Sequence, residues 1–349
     1  MSITNQLSVP SAVLGLSLSV VSSIGLAQSA ERPELSGVWT NASRTGLTRP
    51  RGIEQLVVSA EEAEQIVANM GIAGISPDNI AAGPAIDPNT GAPPAGGQDF
   101  GLRGYNLFWT DPGSTLAYVK GEYRTSLIID PANGQIPRRV NPENFQRRNF
   151  GIRYFTGVGD AAGPEAMPIE ERCLIGFGNT AGPGMMGTLY NSTYQFIQTE
   201  DYVTILVEMA HDARIVPIFD SAEEARATHR PESHKPWFGD SRGWYENGAL
   251  VIETDNINPL QMEQSSIPIT EDGKITERFS RYSDTEMVYQ FTVEDSNLYS
   301  QPWTAELSYH ATDGRLYEYA CHEANYSFGG ILRGARILEQ DVRDAAGVR

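Results

Sequence analysis

The chain has 349 residues, of which 40% are hydrophobic and 20% charged, with a formal net charge of −18. That balance excludes a disordered or collagen-like chain and gives enough length for a sizeable core in one large or two small domains. An acidic surface repels nucleic acid and anionic lipid head groups, so neither is an expected partner.

No Asp, Glu, Lys or Arg precedes Glu31. The run from Ser11 to Ala27 is apolar and rich in small residues, and it ends in Gly25-Leu26-Ala27. It has the length and small-residue ending of a signal-peptide core and cleavage site. The segment ahead of it carries only the terminal amine. An uncleaved anchor is therefore the second reading, although such a short, Ser/Gly-rich run spans a bilayer only marginally. The expected organisation is a signal peptide at 1–27, an N-terminal arm at 28–104 and a β domain at 105–349. The expected location is periplasmic or secreted. No later stretch is long and apolar enough to predict a membrane span after cleavage.

Leu35 to Thr40 reads as a strand-like entry. Ser59-Ala60-Glu61-Glu62 reads as a capping box that opens a helix running through Ile66, Val67 and Met70. Residues 71–104 are rich in Gly, Pro, Ala and Asn without apolar period, which predicts an irregular segment. From Tyr105 onward strands and tight turns follow one another. Thr125 to Asp130 and Gln135-Ile136 flank an Asn-Gly turn and read as a hairpin. Further hairpins are predicted for 194–198 with 202–208, for 244–245 with 249–254, for 274–282 with 286–293, and for 303–310 with 315–321. Arg214 to Phe219 is another short strand. Ser221 to Ala227 is the one clear helix of the second half, and a short surface helix is expected within 331–349. Strands joined in sequence by tight turns predict an antiparallel meander that closes into a lipocalin-like barrel, preceded by an irregular arm with one helix.

Cys173 and Cys321 are the two cysteines. Neither belongs to a CxxC motif. In an oxidising compartment two such residues pair, the alternative being two buried thiols.

Three clusters carry chemistry. His211-Asp212-Ala213-Arg214 follows an apolar strand. It offers a base with a carboxylate to orient it, or a structural Asp212–Arg214 pair. Trp237 to Trp244 brings aromatics together with Asp240, Ser241 and Arg242. It reads as a loop that stacks on a ligand and grips an anion through Arg242, or as a loop that plugs a barrel end. Glu318 to Tyr326 is the densest polar stretch. On an extended strand Glu318 and His322 share one face, with Tyr319, Cys321 and Glu323 on the other, giving an acid/base pair or a structural strand end. Gly176, Gly178, Gly182, Gly184 and Gly187 suit a flexible lid better than a phosphate cradle. The five histidines, 211, 229, 234, 310 and 322, show no metal-binding spacing, so no metal and no cofactor is predicted. A site assembled from distant strands stays open.

Several of these stretches resemble a large family of exported proteins of proteobacteria and acidobacteria. They are Arg124 to Asp130, Glu171-Arg172-Cys173-Leu174, His211-Asp212-Ala213-Arg214, Gly239-Asp240-Ser241-Arg242-Gly243, Glu277-Arg278-Phe279, Phe291 to Asp295, Pro302-Trp303-Thr304-Ala305 and Tyr317 to Glu323. The likeness spans about residues 105–340, and the segment at 71–100 departs from it. It implies export and supports the Cys173–Cys321 pairing, since the Arg-Cys and Ala-Cys-His-Glu elements recur in that family. It implies no activity.

The functional expectation is an exported, cofactor-independent lyase, isomerase or hydrolase acting on a small, partly apolar molecule. Its acid–base residues would come from His211, Asp212, Glu318, His322 and Glu323. Arg214, Trp237, Asp240, Arg242, Trp244, Tyr319 and Tyr326 would bind the substrate. The alternative is a periplasmic binding or carrier barrel without catalysis. A structural envelope protein would need an exposed apolar patch, for which the sequence gives no sign.

Overall fold

The computed structural model describes residues 32–70, 111–139, 163–323 and 325–347. The expected signal peptide and the Gly/Pro-rich segment at 71–104 lie outside them.

One sheet forms a nearly closed antiparallel barrel. Its walls are β1 (Gly37–Thr40), β6 (Thr193–Gln198), β7 (Tyr202–Val207), β8 (Ala213–Pro217), β9 (Asp240–Glu246), β10 (Ala249–Asp255), β11 (Lys274–Arg281), β12 (Glu286–Glu294) and β13 (Trp303–Ala311). The order around the barrel is β8-β7-β6-β1-β13-β12-β11-β10-β9, and each neighbouring pair is antiparallel. Nine strands are an odd number. An odd antiparallel cycle cannot close on itself without one parallel seam. That seam is a parallel bridge between Ile218 and Gly243, with Phe219 N donating to Gly243 O at 2.8 Å. β1 sits between β6 and β13, so the arm supplies one barrel strand.

Alternation sets the faces. On β11 the buried residues are Ile275, Glu277 and Phe279; on β8 they are Arg214 and Val216. Aromatic rings fill the middle of the barrel. Tyr194 and Phe196 meet Tyr309 and Phe279 edge-on, and Phe279 stacks on Tyr289 with centroids 4.6 Å apart. Such pairs add about 0.5–1.5 kcal/mol each beyond burial.

A small second sheet covers the outer face of β12 and β13. It consists of β2 (Val57–Val58), β3 (Tyr118–Val119) and β4 (Glu122–Arg124). Lys120 and Arg124 reach Glu306 at 2.8 and 3.3 Å. Glu286 accepts from Lys120 N and Ser308 Oγ. α1 (Ala60–Ala68) opens with the expected capping box, Ser59 and Glu62 bonding each other's backbone N–H. α2 (Ala222–Ala227) is capped by Ser221. α3 (Pro259–Gln264), which the sequence pattern did not signal, is capped by Asn258. α4 (Tyr326–Ala345) is longer than the short surface helix expected.

Two predicted hairpins do not form. The turn at 131–134 exists, with Gly134 N donating to Pro131 O. The strand before it, β5 (Ile128–Asp130), pairs with β13, and on its other side Leu127 N and Ile128 N donate to Gly46 O and Leu47 O, so both edges are taken. Residues 315–321 form no strand. The edge of β13 that they would occupy belongs to β1, whose Trp39 and Thr40 pair with Ala311 and His310.

Inside the barrel Arg214 and Glu277 form a fully buried ion pair at 2.6 Å. Glu277 also accepts from Tyr289 Oη at 2.5 Å, and Arg214 Nη2 reaches Ser241 and Thr254. Loss of one partner strands a charge in a medium that cannot solvate it. Glu277→Ala is therefore expected to cost about 3–5 kcal/mol. The double change Arg214→Met with Glu277→Leu is expected to recover most of that loss. Urea midpoints of the three proteins check both; a double change as destabilised as Glu277→Ala or more would contradict the pairing.

Candidate functional site

At one end of the barrel the chain leaves β7 through Glu208 and a short turn, Met209–His211. Ala210 and His211 both adopt left-handed backbone, with φ of 57° and 53°. Each such non-glycine residue costs about 1–2 kcal/mol, and strain of this kind concentrates at functional sites. The turn sends the His211 ring outward, where Nε2 lies 2.9 Å from Tyr317 O. It sends the Asp212 carboxyl inward, where Oδ2 accepts from Gly176 N at 2.7 Å. Only glycine fits at 176: a Cβ there would lie 2.4 Å from Met209 Cγ and 3.2 Å from Asp212 Oδ2. Burial pushes the Asp212 carboxyl up from 3.8 to about 6, against the Gly176 N–H and His211, which pull it down.

The stretch 163–177 and residues 317–323 with Asn325 complete this rim. Cys173 and Cys321 lie at bonding distance, 1.97 Å, and tie the two segments together. Tyr317 N donates to Glu208, and Asn325 Nδ2 donates to Glu171 O at 2.6 Å. Burial raises the Glu170 carboxyl to about 7, and neighbouring Glu171 adds to the shift.

The glycine-rich segment does not form a flexible lid. Residues 179–185 are buried as a plug in the barrel. Gly184 N points at Glu277 and Met185 N donates to Tyr289 Oη. Gln261 of α3 holds Gly182 O, and Asn179 holds Pro183 O. Gly182 has φ +89°, and a Cβ there would lie 2.6 Å from Arg214 Nη1, so its bare backbone is what admits the guanidinium.

The sequence-predicted residues fall in separate places. His211 and Asp212 stand on the rim. Arg214 points into the barrel and pairs with Glu277 rather than Asp212. Asp240 to Trp244 is strand rather than loop. Its Asp240, Arg242 and Trp244 face outward from the barrel. Arg242 bridges Asp240 and Asp255 at 3.1 and 2.8 Å, and Trp244 packs under Ala225 of α2. Both terminal nitrogens of the buried Arg242 are thus engaged, so it grips no free anion. Trp237 is half-buried in the turn before β9. His229, Asp240 and Asp255 lie close enough together for a metal, but the Arg242 guanidinium already bonds all three. Glu318, His322 and Glu323 are exposed on the irregular segment, so the shared strand face that would align Glu318 with His322 is absent. Tyr319 packs against the core and Tyr326 stands 86% exposed.

Sequence reasoning missed Glu277 and Glu170. Glu277 had a usable signal, an acid at the inward position between Ile275 and Phe279. Glu170 had none, because its burial comes from an irregular segment.

No family model, curated protein or solved structure matches the chain.

Asp212 and Glu170 hold their protons more tightly in the folded chain than in the unfolded one. That contribution to stability is full below the ordinary carboxylate values and is lost as pH rises through about 6 and about 7. Asp212→Asn should therefore gain roughly 1–3 kcal/mol over the wild type at pH 8 and little at pH 4. Urea unfolding at both values checks it. Reducing the cysteine bridge, which closes a sequence separation of 148, should lower stability by roughly 4–5 kcal/mol. The shift of the urea midpoint in dithiothreitol measures it.

Proposed function

We propose that the chain is an exported enzyme that performs general acid–base chemistry on a small, partly apolar molecule at the barrel rim. His211 is the base and Asp212 the acid. The reaction class is lyase, isomerase or hydrolase. The observation that carries this is the strained turn at Ala210–His211, which places an outward imidazole beside an inward carboxyl held up to about 6. A carboxyl with that value still holds part of its proton in mildly acidic solution and can act as an acid there, and imidazole is the side chain most often used as a general base. Gly176 fixes one carboxyl oxygen, and the exposed Tyr317 supplies apolar surface next to His211. Export is supported by the uncharged apolar run before Glu31, by the cysteine pair at bonding distance and by the likeness to exported proteins.

A carrier barrel draws less support. It needs an internal cavity, and stacked aromatics with the glycine plug occupy the described interior.

Hydrolysis of p-nitrophenyl acetate, p-nitrophenyl butyrate and dihydrocoumarin between pH 4 and 9 tests the proposal. Wild-type turnover should follow a group titrating near pH 6. His211→Ala and Asp212→Asn should each lower it by about 10²-fold or more. Equal rates in all three proteins overturn the assignment of the site, and no turnover of any probe removes the hydrolase class.

A further inference from the structure

His211 is exposed, yet one hydrogen bond decides which of its ring nitrogens is basic. Nε2 lies 2.9 Å from Tyr317 O. A carbonyl oxygen only accepts, so Nε2 carries the proton and donates it. In the neutral ring the lone pair then lies on Nδ1, which has no hydrogen-bond partner among the described residues.

The carbonyl that selects this tautomer belongs to an irregular segment, where no strand ladder holds it. Glu208 holds it instead. Glu208 is 5% exposed, and its Oε1 accepts from Tyr317 N at 3.2 Å. A carboxylate buried to that extent needs donors, and the Tyr317 main chain supplies one. Glu208 also opens the turn that carries His211. Its N–H donates to Thr193 O at 2.9 Å, and its carbonyl accepts from His211 N at 3.3 Å.

The three residues therefore close a ring of hydrogen bonds. The Glu208 side chain holds Tyr317, the Tyr317 carbonyl holds the His211 imidazole, and the His211 backbone returns to Glu208. Tyr317 contributes main-chain atoms alone, so its phenol is dispensable to the ring. Cys321, four residues further on, ties the same segment to Cys173.

We propose that Glu208 is a positioning residue: through Tyr317 it holds His211 as the Nε2–H tautomer and makes Nδ1 the basic nitrogen of the rim. Its part in turnover rests on the acid–base reading of the site, whereas the tautomer is read without any turnover.

Alkylation of the full chain with iodoacetamide at pH 8 reports which nitrogen is nucleophilic. After digestion, NMR of the His211 peptide identifies the isomer, and the exposed His322 of the same sample is the reference. The wild type should carry the label on Nδ1. Glu208→Ala should lose that selectivity and give the isomer mixture found at His322. Glu208→Gln keeps an acceptor for Tyr317 N and should keep the Nδ1 label. Tyr317→Ala leaves both main-chain bonds and should keep it too. Should Glu208→Ala fail to fold, Tyr317→Pro removes the same N–H from an exposed position and should show the same loss. A wild-type label mainly on Nε2 overturns the proposal, and so does Nδ1 selectivity that survives loss of the Glu208–Tyr317 bond. Ester turnover of the same samples separates the two readings. Selectivity lost with turnover unchanged removes His211 as the base, and the acid–base reading with it, while the hold of Glu208 on the ring stands.

Discussion

The buried pair of Arg214 and Glu277 is the constraint around which the barrel is built. An ion pair in an apolar interior is tolerated when most of its remaining polar atoms find partners. Here all but Arg214 Nε do: Ser241 and Thr254 of β9 and β10 face Nη2, and Tyr289 of β12 and the backbone of the glycine plug face Glu277. The plug explains the glycine richness of residues 176–187. Side chains there would clash with Arg214, Met209 and Ile267, whereas bare backbone brings N–H groups to Glu277 and Tyr289. Burial pushes the Tyr289 hydroxyl well above its ordinary value, and Glu277 adds to the shift, so it stays a hydrogen-bond donor.

The same plug links the interior to the rim. Its first glycine, Gly176, donates to Asp212, two residues before Arg214. One short stretch of chain thus satisfies the buried ion pair with one part of its backbone and positions the rim carboxyl with another. The cysteine bridge holds the start of that stretch against residues 317–323. The proposed acid–base site is therefore supported from beneath by the core and from the side by the covalent tie.

Much of the wall was legible because strand alternation is a local property. The hairpins at 194–207, 244–255 and 274–294 lie where apolar residues recur at every second position between tight turns. The capping box at Ser59 was equally local. The hairpins at 125–136 and 303–321 failed for one shared reason. Turn chemistry specifies that the chain reverses, and it does not specify which edge the returning segment finds. At β13 that edge had been taken by β1, from more than 260 residues earlier in the chain.

The sequence by itself determined the acidic, mainly β character, the alternation along the strands, the capping box at Ser59 and the proximity of His211 to Asp212. These follow from short-range pattern and covalent neighbourhood. Only the tertiary structure decided that Arg214 points inward to Glu277, that Arg242 is spent on Asp240 and Asp255, and that the glycine run is a plug. Each of those depends on which distant strand supplies the opposite charge. In a medium too apolar to solvate an ion, that partner fixes where a charged side chain can go, and spacing along the chain does not reveal it.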